Sequence, residues 1–141
     1  MIELVSSTPQ TVLTGQSVLF TEAAVQSGCA ERYRQGSAQL TLVQPGRYLV
    51  TFSGNIAIPD GGTVEEISIG LAQEGEVLGG ATMRVTPSTT TNYFNVSTQH
   101  YIDVYRNCNG GGCCQNVSVQ NNSTQGILVD NPNLTAVRVC G

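Results

Sequence analysis

The chain has 141 residues, 40% of them hydrophobic and only 11% charged, with a net charge of −4. That length suits a single domain able to bury about 70% of its unfolded surface, and the acidic balance excludes nucleic acid, whose phosphates demand clustered positive charge. All six basic residues are Arg and Lys is absent. This reads either as a surface partly covered in the working assembly, because interface centres are poor in charge, or as a compositional habit of the source.

In chain order, "MIELVSSTPQTVLTG" has no basic segment followed by a long apolar run, so no secretory signal is expected and synthesis is expected in a cytoplasm. No stretch approaches the roughly 18 consecutive apolar residues of a membrane span, so no membrane insertion is expected. Residues 1–10 read as an N-terminal arm or first strand, and residues 11–141 as one domain. Alternation of apolar and polar residues recurs in "QTVLTGQSVLF", "AQLTLV", "RYLVTF", "HYIDVYR", "QNVSVQ", "GILVDN" and "LTAVRV". In "VEEISIGLAQEGE" the apolar Ile67, Ile69 and Leu71 stand two apart, the strand period, and Glu74-Gly75 reads as a hairpin turn into "EVLGGATMRV". Further turn signals are Thr14-Gly15, Pro45-Gly46, Pro59 to Gly62, Pro87-Ser88, Asn107 to Gly112, Asn121-Asn122 and Asn131-Pro132. Helical periodicity is almost absent and no repeat at a fixed period is visible. About eight to ten short strands at this spacing predict an all-β, antiparallel two-sheet sandwich or barrel.

The stretch "LTLVQPGRYLVTF" sets the core. Pro45 presets φ, Gly46 permits a sharp turn, and Tyr48, Val50 and Phe52 share one face of the strand that follows. The run Gly15 to Phe20, "YRQGSAQLTLVQPGRYLVTFSGNI", the hairpin "ISIGLAQEGEVLGG" and the tail "VSVQNNSTQGILVDNPNLTAVRV" together resemble the globular heads of the C1q/tumour-necrosis-factor superfamily. The bacterial and phage branch is the most similar, including heads of collagen-like spore-surface glycoproteins. The family's P-G-x-Y-x-F segment is met as Pro45, Gly46, Tyr48 and Phe52, with Val50 where the aromatic usually stands. The resemblance covers residues 11 to 139 and implies a jelly roll and a homotrimer. In "NYFNVSTQHYIDVYR", Tyr93, Phe94, Tyr101, Ile102, Val104 and Tyr105 put apolar or aromatic groups on both faces, and a strand apolar on both faces needs cover on both sides. Tyr101, Asp103 and Tyr105 are the expected trimer-interface set, since Tyr keeps a polar tip for a shared boundary. The alternative is that these tyrosines are ordinary exposed sheet residues.

Five cysteines, Cys29, Cys108, Cys113, Cys114 and Cys140, allow a thiol cluster, a disulfide within the "NCNGGGCC" loop or between Cys29 and Cys140, or free thiols; the odd count leaves at least one unpaired or intermolecular. A zinc site is disfavoured, because C-x4-C-C is not a zinc spacing and His100 is the only histidine. Calcium is disfavoured too, since Asp60-Gly61-Gly62 and Asp130 to Asn133 are ordinary turn chemistry. No metal or cofactor is therefore expected. No catalytic residue is expected either: nothing local brings His100 to a cysteine, and adjacent Glu65 and Glu66 face opposite ways on a strand.

The expected function is a non-enzymatic structural or adhesive trimeric module on a particle surface, first a phage virion protein in head decoration or a head fibre. Such a protein assembles inside the host and works on the virion surface. The alternatives are a bacterial spore- or cell-surface protein, or a lectin-like module recognising a saccharide or receptor. Its partners would be copies of itself and a capsid protein, cell-surface protein or saccharide.

Overall fold

A computed structural model describes residues 1–106 and 114–140; Cys108 and Cys113 lie outside the described residues. Eleven strands run in order among them: β1 (Ile2–Val5), β2 (Gln10–Val12), β3 (Glu22–Gln26), β4 (Glu31–Tyr33), β5 (Leu40–Leu42), β6 (Gly46–Ala57), β7 (Ile67–Gln73), β8 (Glu76–Val85), β9 (Phe94–Val104), β10 (Gln115–Asn121) and β11 (Ile127–Cys140). They build two antiparallel sheets. Sheet I has the order β3-β1-β11-β6-β9 with β2 also on β11, and sheet II the order β4-β5-β10-β7-β8. No helix of the described residues is long and apolar enough to cross a membrane.

The core lies between the sheets. Strict alternation in β6 turns Tyr48, Val50, Phe52 and Ile56 inward, where none retains solvent exposure. They meet Ile69 and Leu71 of β7, Val117 and Val119 of β10, and Leu134 and Ala136 of β11 in one cluster. At about 25 cal/mol per Å² of buried apolar area, each enclosed aromatic ring contributes about 2–3 kcal/mol. The turn before β6 depends on Gly46. Its φ is +143°, outside the range of L side chains, and a β-carbon there would run into the Cys140 carbonyl oxygen.

The hairpin read at Glu74-Gly75 joins β7 to β8, and both residues have positive φ (52° and 80°), as a type I′ turn requires. Two expectations need correction. "GILVDN" and "LTAVRV" are halves of one strand: Asn131, at φ 50°, and Pro132, which has no N–H to give, make a bulge, and β11 resumes its pairing with β6 beyond it. The count exceeds eight to ten because the outer flank of β11 is broken: β1 pairs with residues 133–136 and β2 with residues 127–129. The strand "TEAAVQ", which shows little alternation, forms β3 through backbone pairing with β1.

Candidate functional site

The outer face of sheet I follows from register. Ile2, Ala136, Val50 and His100 form one rung whose side chains point toward the core, so the next rung, Val137, Leu49 and Tyr101, points away from it. The rung after the inward Tyr48 and Ile102 is Cys140, Arg47 and Asp103, again outward. Tyr101 is 61% exposed and Tyr105 is 70% exposed, while Asp103 is half-buried. Tyr101, Asp103 and Tyr105 thus stand together on the outer side of the edge strand β9 and its end.

A bidentate pair fixes the polar part of this face. Arg47 Nε donates to Asp103 Oδ1 at 2.7 Å and Arg47 Nη2 to Oδ2 at 3.0 Å, and the Tyr105 hydroxyl lies 3.5 Å from Oδ2. The hydrogen bond from Arg47 is the chief cause holding the Asp103 carboxyl below the usual carboxylate value, against the opposing effect of burial. The same contact raises the Arg47 guanidinium. Because the folded carboxyl is depressed, its contribution is complete above the unfolded Asp value of about 3.9 and is lost as pH falls through the folded value. In a carbon-detected NMR titration Asp103 should therefore titrate below the ordinary Asp range, and Arg47→Gln should return it there; an unchanged curve in the variant would remove Arg47 as the cause.

Farther along the same face most side chains are neutral. Thr51, Ser53 and Asn55 of β6 pair with Gln99, Ser97 and Asn95 of β9 and with Thr135, Asn133 and Asp130 of β11. Asp130 is the acid in these rungs, and Glu3 of β1 accepts from Asn133 Nδ2 at 3.0 Å. Arg47, Leu49 and Val137 had no place in the interface set read from the sequence. A signal existed for the last two: Leu49 and Val137 are apolar residues out of phase with the buried Tyr48, Val50, Leu134 and Ala136.

The remaining chemistry-bearing residues are dispersed. Cys29, Cys114 and Cys140 are free and exposed. His100 faces inward from β9 opposite Val50, three rungs from the Arg47–Asp103 rung that Cys140 shares, about 10 Å at ~3.4 Å per residue. Glu65 accepts from Thr124 Oγ1 at 2.5 Å and Gln125 Nε2 at 3.2 Å, whereas its neighbour Glu66 lies 3.6 Å from Arg84. Gly61 occupies the positive-φ position of the Pro59–Gly62 turn, closed by Gly62 N–H on the Pro59 carbonyl at 2.9 Å. Among the described residues no group of three His, Cys, Asp or Glu side chains is placed to hold a metal ion.

Neither a family model nor a curated protein matches the sequence. Solved structures match the fold. The globular domain of zebrafish complement 1qA is similar at TM-score 0.67 with 9% identity, covering 98% of this chain and 95% of that one. The Eiger TNF from S. frugiperda gives 0.69 with 11% identity over 98% and 90%. The PRD1 vertex protein gives 0.51 with 14% identity over 98% and 95%. By sheet order, strand direction and these matches, the chain has the C1q/TNF-like jelly-roll fold.

Proposed function

We propose that the chain is a non-enzymatic structural or adhesive module that works as a homotrimer on the surface of a particle, with the outer face of sheet I turned toward its copies. One observation carries the reading: the rung of Val137, Leu49 and Tyr101, assembled from three strands, leaves apolar side chains open between the Arg47–Asp103 pair and a stretch made mostly of Thr, Ser, Asn and Gln. Depletion of charge with enrichment of aromatic groups marks the centre of a subunit interface. Sheet II differs, since its outer side carries Arg32, Glu66 and Arg84 exposed to solvent. A trimer axis beside β9 would bring Tyr101 and Tyr105 against neighbouring copies and enclose the Arg47–Asp103 pair.

The particle is a phage virion, with this module in head decoration or a head fibre. The shared fold with the PRD1 vertex protein, itself a virion component by its name, supports that placement. Its partner there is a protein of the capsid shell.

Sedimentation equilibrium tests the assembly. A species of three times 14.9 kDa is expected at micromolar concentration, and a stable 14.9 kDa species would reject the trimer. The location is tested separately by quantitative mass spectrometry of purified virions, where absence of the chain would reject the virion role and leave the trimer standing.

A further inference from the structure

Five of the six arginines divide into two groups, the sixth, Arg106, being exposed at the end of the first described segment. Arg47 pairs with Asp103, Arg84 lies beside Glu66, and Arg138 bonds the Gln44 side chain and the Pro45 carbonyl. Arg32 and Arg34 are different: both are exposed, and neither guanidinium has a hydrogen-bond or ion-pair partner among the described residues. Both line an open cleft of about 410 Å³, within the ~300–1,000 Å³ of small-molecule sites. Its other walls are the amides of Gln26 and Gln39 and the hydroxyls of Ser37 and Thr41, with Tyr33 between the arginines and no carboxylate. In a chain of net charge −4, this is a local concentration of uncompensated positive charge.

The cleft is held in shape before any ligand arrives. The Tyr33 hydroxyl donates to the Phe20 carbonyl and accepts from Gly36 N–H at 3.0 Å. Phe20 N–H donates to the Ser37 carbonyl at 3.3 Å, and Ser37 N–H to the Arg34 carbonyl at 2.9 Å. Ser37 Oγ then accepts from Gln39 N–H at 3.0 Å, and the Thr41 hydroxyl donates to Asn116 Oδ1 at 2.7 Å. The backbone that presents both arginines is therefore tied down on each side of the 34–37 turn. A preorganised site loses less freedom when it binds.

We infer that this cleft binds an acidic saccharide, the two guanidiniums taking its oxyanion and the hydroxyl and amide walls its ring hydroxyls. Guanidinium forks match carboxylate, sulfate and phosphate oxygens in pairs, and such charge-assisted bonds are stronger than neutral ones. Two like charges with no counter-charge repel one another, and a bound oxyanion relieves that repulsion. Gln26, Gln39 and Ser37 both donate and accept, and the Thr41 oxygen, its proton given to Asn116, accepts, the requirement for holding a polyol. The site is built within one chain, so it stands apart from the oligomeric state and from the virion reading.

The test is an NMR titration of the intact protein with D-glucuronate, D-glucose and inorganic sulfate, the first two differing by a carboxylate for a hydroxymethyl group. Glucuronate should saturate, with shifts concentrated at residue 26 and residues 32–41, and bind at least about tenfold more tightly than glucose or sulfate, the scale of one charge-assisted contact. Arg32→Gln and Arg34→Gln should each weaken glucuronate about tenfold or more, and the double variant should abolish saturation. Arg84→Gln should bind as the parent does. Because neither guanidinium bonds the protein, both variants should keep the parent melting temperature, so lost binding is not lost folding. Equal binding of glucose, equal binding of sulfate, or undiminished binding by the double variant would each overturn the assignment.

Discussion

Replacing Tyr48 by alanine is expected to cost about 3–5 kcal/mol of folding stability, the range for emptying an aromatic site in a packed core. Tyr48 is fully buried near the start of β6, among the largest enclosed side chains of the described residues. A cavity of that size cannot collapse cheaply, because β11 and β9 hold β6 in register on both sides. Against a total stability of about 5–15 kcal/mol for a domain, the loss takes a large share and should lower the melting temperature by about 10 °C or more. Tyr48→Phe isolates the hydroxyl, which lies 2.7 Å from the Gln44 carbonyl and 3.2 Å from that of Ala30. That variant should lose about 1–2 kcal/mol.

The same hydroxyl gives a pH signature. Burial, the largest cause, raises its ionisation above the usual tyrosine value, with Arg138 working the other way. The unfolded chain then ionises first, at about pH 10. The stabilising contribution is therefore whole below that value and falls away as pH rises toward the folded one. Guanidinium unfolding midpoints from neutral pH to pH 11 should decline more steeply for the parent than for Tyr48→Phe. A Tyr48→Ala variant within 1 kcal/mol of the parent would show that β6 does not anchor the sandwich, since about 1 kcal/mol is the typical cost of an average point substitution.

The second large effect concerns self-association. Leu49→Glu places a carboxylate in the middle of the Val137–Leu49–Tyr101 rung. Around a three-fold axis every copy contributes one such charge, and an unpaired charge buried at an interface costs about 3–5 kcal/mol. Self-association should weaken at least about a hundredfold, turning the sedimenting species into a monomer with unchanged far-ultraviolet circular dichroism. Val77→Glu supplies the comparison: Val77 is an exposed apolar residue on β8 of sheet II, and its substitution should leave the mass as it was. Dissociation by Val77→Glu, with Leu49→Glu unaffected, would move the interface to sheet II. Tyr101→Ala should fall between them, since its exposed ring loses partner area without introducing charge.

These effects bear on how local pattern and long-range assembly divide the work. Period-two alternation was enough to mark strands at β6, β7, β10 and most of β11, because successive side chains point to opposite faces of the pleat and the apolar ones recur every second residue without reference to the partner strand. Glu74-Gly75 was legible for a similar reason: a two-residue turn with positive φ at both positions is a local requirement. The broken flank and the bulge were not legible. Asn131-Pro132 looks like a chain reversal until β6 is seen to pair with both sides of it.

The candidate sites show the same division more sharply. Tyr101, Asp103 and Tyr105 could be grouped from the sequence because they alternate on one strand. Arg47 lies 56 residues from Asp103, and Val137 joins Leu49 and Tyr101 only through two registers. Likewise, Gln26 reaches the Arg32–Arg34 cleft from a different sheet. The chain alone thus determined most of the strands, which side chains share a face, and that the class is all-β, since these depend on neighbours two residues apart. Sheet order, register and the company each exposed side chain keeps were decided by the tertiary structure, because they minimise exposed apolar area over the whole molecule at once.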